Sequence, residues 1–487
     1  MRTRLNPLGT LASSGVYFAC DVSLMLAGIV SMPFMTRLLS RDEYGLVNMV
    51  FASIAICGVF GQLGFSQATT RFYAERDKQG PGSLHEFCGN MLGGTLISSV
   101  VVALLAVLGA TSIARGQWSY AKCLQLGSLI IVTRAVANVV YQIYRAQERV
   151  LAYAVGQIIA RYGTLALTIM LLLLYRSSAY EVILATVIGE AVVVIGCITE
   201  LAGRDVIRRP KFSWPTLKTA TAYGMPLALA GSASFILDYG DRFLIERFMG
   251  LDAVAMYAVP YDLADKLTAG PFSSVRLAAI PIIFRLWAYQ GEEATSQFAS
   301  RIFSYLIAIA LPLGTLVVIM QREIVVFLAS AKYSDSASLI PYLLPGVLMG
   351  QLNFIIALGL TIQKKTMVLA FITLLSGLTN IGLNLVLLPK WGLMGAAVAT
   401  TVAYTVLLVS TYVKSRRALP LHIDYPVVGK AVLATGLMAA LLIGVGPVTS
   451  ELFTDLAMRG MLGVGVALGC MLVLDREIRV RAWGWVR

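Results

Sequence analysis

The sequence predicts an all-α membrane protein of about fourteen transmembrane helices, arranged as two six-helix halves followed by two additional helices. Three observations carry that reading. Apolar residues gather in runs of roughly twenty, the length a helix needs to cross a bilayer core. Of 487 residues, 58% are hydrophobic and 13% charged, where a soluble chain carries about a quarter charged residues. The runs are continuous rather than alternating, which excludes a transmembrane β-barrel.

The runs fall near 12–36, 44–68, 87–112, 118–143, 150–174, 179–202, 219–240, 253–284, 296–320, 336–362, 367–389, 392–413, 427–447 and 452–474. The first begins like a secretory signal, with basic residues before an apolar stretch. It continues to Pro33 without an A-x-A-like cleavage site and contains Asp21, so it reads as an uncleaved membrane helix. The 253–284 run is over-long, and tilt or a break at Pro271 is expected. The longest polar connectors, 69–86 and 203–218, are too short for separate domains, so function belongs to the bundle and its loops.

The net charge of +13 is distributed by topology. With the N-terminus cytoplasmic, the inner connectors hold Arg2 and Arg4, the Arg71–Lys78 cluster, Arg145, Arg149, the 204–218 cluster, Arg285, Lys364, Lys365, Lys414–Arg417 and the 476–487 arginines. The outer connectors hold Arg37, Arg41, Arg115, Arg176, Arg242, Arg247, Arg322, Lys332, Lys390 and Arg459. The inner set is about twice the outer one, which places both termini in the cytoplasm. Nucleic acid is not needed to explain the charge. The six cysteines form no C-x-x-C pair and read as packing residues, and His85 and His422 lie far apart, so no metal site or cofactor is expected.

An internal repeat sets the domain expectation. AQERVLAYAVGQ (146–157) aligns with IQKKTMVLAFITL (362–374), and LATVIGE (184–190) with VATTVAY (398–404). The corner TRLLSRDEYGL (36–46) has a counterpart in DRFLIERFMGLDAVAMY (241–257). The offsets of roughly 210–218 residues give a six-helix half over 1–210, a second over 211–418, and two further helices over 419–487. Six being even, both halves enter the membrane in the same sense, and repeats of this kind place a substrate site between them.

The stretch Pro33 to Gly45, with QLGFSQATTRFY (Gln62 to Tyr73) and GDRFLIERFMG (Gly240 to Gly250), resembles the polysaccharide (O-antigen and exopolysaccharide) flippases of the multidrug/oligosaccharidyl-lipid/polysaccharide exporter superfamily. The resemblance covers the whole chain. It implies a flippase in the bacterial inner membrane that carries undecaprenyl-diphosphate-linked oligosaccharide from the cytoplasmic to the periplasmic leaflet. A polysaccharide polymerase and a chain-length regulator are partners implied by the family alone.

A lipid-linked sugar diphosphate needs a wet cavity with cations for the diphosphate and hydrogen-bonding groups for the sugars. Ionisable residues inside apolar runs are the candidates, since each is costly there unless it faces a cavity or a partner. The expected substrate contacts are Arg134, Arg161, Lys266 and Arg276. Glu190, Asp262, Asp265 and Asp241 are candidates for coupling or ion pairs, with Glu190 opposite Arg161 and Lys266 sharing a helix face with Asp262 and Asp265. Tyr141, Tyr144, Tyr223, Tyr239, Tyr257 and Tyr261 read as interfacial anchors before sugar-stacking groups. The rivals are a drug or metabolite antiporter of the same superfamily and a membrane polysaccharide polymerase. The cations favour an anionic lipid over the first, and the short outer loops disfavour the second.

Overall fold

Lipid offers the backbone no hydrogen-bond partner, so a chain crossing it must satisfy every peptide group within the segment or close a barrel. The computed structural model describes residues 7–114, 117–207, 212–449 and 451–474. Within them the elements follow as α1 (Pro7–Leu38), α2 (Arg41–Gln62), α3 (Phe65–Lys78), α4 (Pro81–Ile113), α5 (Trp118–Ala146), α6 (Val150–Leu174), α7 (Ala179–Gly203) and α8 (Trp214–Met249). Then come α9 (Leu251–Ile319), α10 (Gln321–Leu328), a 3-10 helix (Ala331–Leu339), α11 (Ile340–Ile362), α12 (Thr366–Ser415), α13 (Tyr425–Val445) and α14 (Leu452–Leu474). The described residues contain no strand.

Among the described residues eleven helices are long and apolar enough to cross a membrane, or twelve when the bent pair Trp214–Ala228 and Gly231–Met249 is counted as one span. The 69 residues of α9 would extend about 100 Å as one straight rod, some three bilayer cores. That rod does not exist: α9 breaks at Gly291 and the 50-residue α12 at Gly392. Dividing both there brings the segments to the fourteen expected. The break is not at Pro271, which stays helical along with Pro260 and Pro281.

Two further expectations are corrected. The polar connector 69–86, expected as an inner loop, is helical: it continues α3 to Lys78, tied by an Arg71–Glu75 pair, and enters α4 at Pro81. The seventh run continues well past 240, because α8 reaches Met249. Arg242 and Asp241 therefore lie inside a helix and are buried, not in an outer connector. Arg459, also assigned to an outer connector, is buried within α14. The basic residues Arg2, Arg4, Arg115, Arg208, Arg209, Lys211, Arg476, Arg479, Arg481 and Arg487 lie outside the described residues.

The chain gathers into two compact units. One comprises Met1–Glu246 with Gly250–Ala255, the other Arg247–Met249 with Met256–Arg487. In the first, α5 is central and packs against α2, α3, α4 and α7. Its core gathers Phe65, Met91, Val139, Ile143, Tyr144 and Leu201, with Cys20 and Cys88 as small apolar fillers. In the second, α11 packs on α12 and α13 on α14. Leucines 104, 105, 108, 173 and 174 are largely exposed. A soluble protein would not carry such a surface, and lipid covers it without cost.

The charged corner between α1 and α2 is a capping device. Ser40 is the N-cap of α2 and its hydroxyl accepts the Glu43 N–H at 3.2 Å, while Asp42 and Glu43 place negative charge in the first turn. Glu43 also reaches a helix distant in sequence: its Oε2 accepts the Ala179 N–H at 2.5 Å, capping α7. The corner meets its sequence counterpart directly. Arg41 pairs with Asp252 at 3.7 Å, and Gly45 lies so close to the Leu251 carbonyl that no Cβ fits between them.

The two turns that align in the repeat have one geometry. After α5, the N–H groups of Gln147, Glu148 and Arg149 bond to the carbonyls of Ile143, Arg145 and Tyr144. After α11, those of Gln363, Lys364 and Lys365 bond to Gly359, Thr361 and Leu360. The middle residue is left-handed in both, with φ 57° at Glu148 and 58° at Lys364.

Candidate functional site

Five helices of the first unit, α1, α2, α5, α6 and α7, surround a cavity of about 620 Å³. Its apolar lining comes from Leu24, Met25 and Phe51. Its polar lining comes from Arg134, Asn138 and Tyr141 on α5, Gln157, Arg161 and Thr164 on α6, and Thr186 and Glu190 on α7. Polar groups inside apolar helices are costly unless they meet one another or water. Here three helices turn them toward one space.

The charges in this space are two cations and one anion. Arg134 Nε donates to Glu190 Oε1 at 2.9 Å, and the Thr133 hydroxyl donates to Glu190 Oε2 at 2.9 Å. The Arg134 guanidinium also lies over the Phe51 ring, 5.3 Å from its centroid. The acid expected to pair with Arg161 is thus taken by Arg134. Among the described residues Arg161 makes no ion pair or hydrogen bond, and its side chain is exposed. The result is a cavity of net positive charge in which one arginine is held in place and the other is available. A guanidinium can bind a phosphate oxygen pair through two parallel N–H groups.

Toward the α5–α6 turn the cavity is followed by an aromatic cluster. Tyr153 is edge-on to both Tyr17 and Tyr141, with centroids 5.3 and 5.6 Å away. Arg145 lies over the Tyr153 ring at 4.5 Å and donates to its hydroxyl at 2.5 Å. At the turn itself Glu200 collects Arg149, Arg204 and the Tyr144 hydroxyl. The hydrogen bonds from Arg149 to the Glu200 carboxylate push its guanidinium above the ordinary arginine pKa. Tyr141 lines the cavity, and Tyr144 is a buried structural group rather than an interfacial anchor.

The remaining candidates lie in the second unit, apart from Asp241. Lys266 pairs with Asp262 at 3.3 Å, one helical turn away. Asp265 accepts from Gln351 Nε2 of α11 at 3.0 Å. Arg276 lies over the Phe354 ring at 5.9 Å. Tyr257, read as an anchor, is fully buried and shares a hydrogen bond of 2.8 Å with Thr400, which also accepts from Asn380 at 3.1 Å. Tyr261 meets Tyr404 at 3.0 Å. In the first unit Asp241 is buried beside Arg242, whose Nη1 donates to Asn48 at 2.9 Å. Tyr239 stacks on Phe235 under the same arginine, and Tyr223 is edge-on to Phe72.

Asn138, Gln157, Tyr153 and Glu200 were not singled out from the sequence. A search for polar residues at helical spacing within apolar runs would have found Asn138 and Gln157. In the Glu200 cluster only the Arg204 pair is local; Tyr144 and Arg149 reach Glu200 from about fifty positions away and leave no signal in the sequence.

The family follows from a model described as polysaccharide biosynthesis protein, which matches residues 10–287, more than half of the chain. The chain belongs to that family. The chain is 28% identical over 200 residues to an uncharacterized membrane protein of Methanocaldococcus jannaschii, a match covering 40% of the chain and 39% of that relative. The chain thus spans about two-fifths of that relative's length. Among solved structures, lipid II flippase MurJ in its inward closed conformation matches with TM-score 0.65 at 14% identity, over 97% of this chain and 99% of that one. An inward-facing multidrug resistance MATE family transporter of the MOP superfamily matches with TM-score 0.63 at 16% identity, over 82% and 94%. A Vibrio cholerae MATE transporter matches with TM-score 0.58 at 14% identity, over 84% and 98%. At these identities the likeness is one of fold, and it agrees with the superfamily that the sequence motifs resemble.

Proposed function

We propose that this protein is a flippase for an undecaprenyl-diphosphate-linked oligosaccharide, moving it from the cytoplasmic to the periplasmic leaflet of a bacterial inner membrane. The observation that carries the reading is the cavity of the first unit, where Arg134 is fixed by Glu190 and Arg161 has no ion partner among the described residues. A diphosphate passing through a low-dielectric bundle needs fixed positive charge more than any other group. The amides, hydroxyls and Tyr141 around it are the donors and acceptors that a sugar requires. The phosphate group meets Arg161 first and Arg134 through its free Nη groups, and Lys266 and Arg276 are the anion contacts proposed within the second unit. The two six-helix halves alternate between inward-open and outward-open states, with both termini cytoplasmic. Membership of the family and the fold shared with MurJ and MATE proteins support transport over catalysis.

A second reading has its own observation. Asp265 bonds to an uncharged Gln351, and Asp262 stands one turn away. Such carboxylates would suit proton-coupled efflux of an organic cation.

The test is flipping of a labelled undecaprenyl-diphosphate oligosaccharide in proteoliposomes, with wild type beside Arg161→Ala, Arg161→Lys and Lys266→Ala. Transport lost in folded alanine variants and partly kept in Arg161→Lys supports the flippase. Transport of no lipid-linked sugar, with efflux of a small cation instead, replaces it with the antiporter.

A further inference from the structure

We propose that the first unit carries a second, separate binding site that takes the sugar portion of a glycan, at the end of the unit opposite the α5–α6 turn. The site is a cavity of about 720 Å³ where the N-termini of α2, α5 and α7 converge. It does not share a lining residue with the Arg134–Arg161 cavity.

The polar groups here are of two kinds. Glu43 and Glu181 are engaged: Glu43 caps Ala179, and Glu181 accepts the Ser178 hydroxyl, so both fix the first turn of α7. Lys122 and Arg176 are not accounted for by packing. Both are exposed, and among the described residues neither has an ion partner. Lys122 lies in the second turn of α5, near the positive end of the helix dipole, where a cation gains nothing from the helix. Its ammonium instead lies over the Trp118 ring at 5.2 Å, and that ring is 69% exposed. Gln125, one turn along α5, lines the same space.

The chemistry of this lining selects its ligand. An apolar ligand would strand four charges. A simple anion would meet two carboxylates along with the two cations. A neutral polyhydroxylated ligand uses all of it: donors from Lys122, Arg176 and Gln125, acceptors from the second oxygens of Glu43 and Glu181, and the ring of Tyr180, which lines the cavity and is 41% exposed. The charge asymmetry of the connectors puts this end outside, so the site would hold the sugars of a headgroup as they leave the bundle. That placement rests on the flippase reading; the binding chemistry does not.

The experiment uses the full chain in proteoliposomes and, as probe, the soluble oligosaccharide released by mild acid from the lipid-linked pool of the source cells. Saturation-transfer NMR reports contact with the sugar ring protons, and flipping is measured on the same preparation. The expected result is saturation of the ring protons by wild type, with affinity about tenfold weaker for Gln125→Leu and for Arg176→Met, the latter in a loop outside the helices. Equal binding by wild type and both variants overturns the site. So does an absence of saturation in a preparation that flips, or displacement of the sugar by inorganic phosphate, which would mark an anion site. Binding without flipping removes the flippase reading and leaves the sugar site standing.

Discussion

The Glu190 carboxylate on α7 holds Arg134 on α5 through Nε alone, at 2.9 Å, while its other oxygen is occupied by Thr133. The pair is a clamp with its cationic face left open. Glu190→Gln keeps an acceptor for one of these donors and removes the negative charge. With Arg134 41% and Glu190 18% exposed, solvent screens the pair, and the expected stability cost is about 1 kcal/mol. The functional effect is larger: a cavity with one more positive charge holds a diphosphate longer. Flipping kinetics should show lower turnover together with a lower half-saturation concentration. An unchanged half-saturation would separate Glu190 from substrate binding.

The capping corner gives two effects of different reach. Ser40→Ala removes the N-cap of α2 at a cost of about 1 kcal/mol. Glu43→Ala removes charge from the start of α2 and the cap of Ala179 on α7, so it should cost more than Ser40→Ala. Unfolding in sodium dodecyl sulfate, compared between the two variants, checks the order.

Close backbone approach sets a harder limit. A methyl group at Gly45 collides with the Leu251 carbonyl, and one at Gly64 with the backbone of Gly224. Gly64 is also left-handed, with φ 77°. Gly45→Ala should destabilise by about 1–3 kcal/mol through overpacking. Gly64→Ala adds conformational strain to the clash and should give the lower yield of monodisperse protein.

Arg459 on α14 meets Asp455 and Glu323 at 3.4 Å each, with Arg459 and Asp455 only 5% and 6% exposed. Asp455 also accepts the Val448 N–H at 2.5 Å, holding the turn before α14. Arg459→Leu leaves buried carboxylates without a counter-charge, a loss of about 3–5 kcal/mol. Adding Asp455→Asn and Glu323→Gln neutralises them and should recover most of that loss. Unfolding midpoints of the single and triple variants decide it; equal midpoints would mean that the charges are not what holds α14.

How much of this was legible beforehand depends on the range of the interaction. Lipid imposes a continuous apolar run of fixed length on each crossing, so the helices are read directly, and the Ser40 cap is local too, its partner lying three residues away. The division between the 253–284 and 296–320 runs is found at Gly291, whereas a break at Pro271 is absent, because within this bundle Pro260, Pro271 and Pro281 remain helical. Arg242 and Arg459 were assigned to loops because charge was read as exposure, but Asn48 and Asp455 bury them at acceptable cost. Arg134, Arg161 and Glu190 could be chosen one by one as ionisable residues in apolar runs. Which arginine Glu190 would take could not, since that depends on how α5, α6 and α7 rotate against one another. The cavity at the N-termini of α2, α5 and α7 left no trace at all, because Lys122 and Arg176 look like ordinary loop-flanking charges in the chain.

The matched turns after α5 and α11 carry an engineering consequence. Each places a long charged side chain, Glu148 or Lys364, in a conformation that disfavours any side chain with a Cβ by about 1–2 kcal/mol. Glycine would remove that penalty and return a part of it as unfolded-chain entropy. These two positions are therefore handles for a hardier protein: the double replacement with glycine touches neither cavity and should tolerate detergent extraction better than the natural chain.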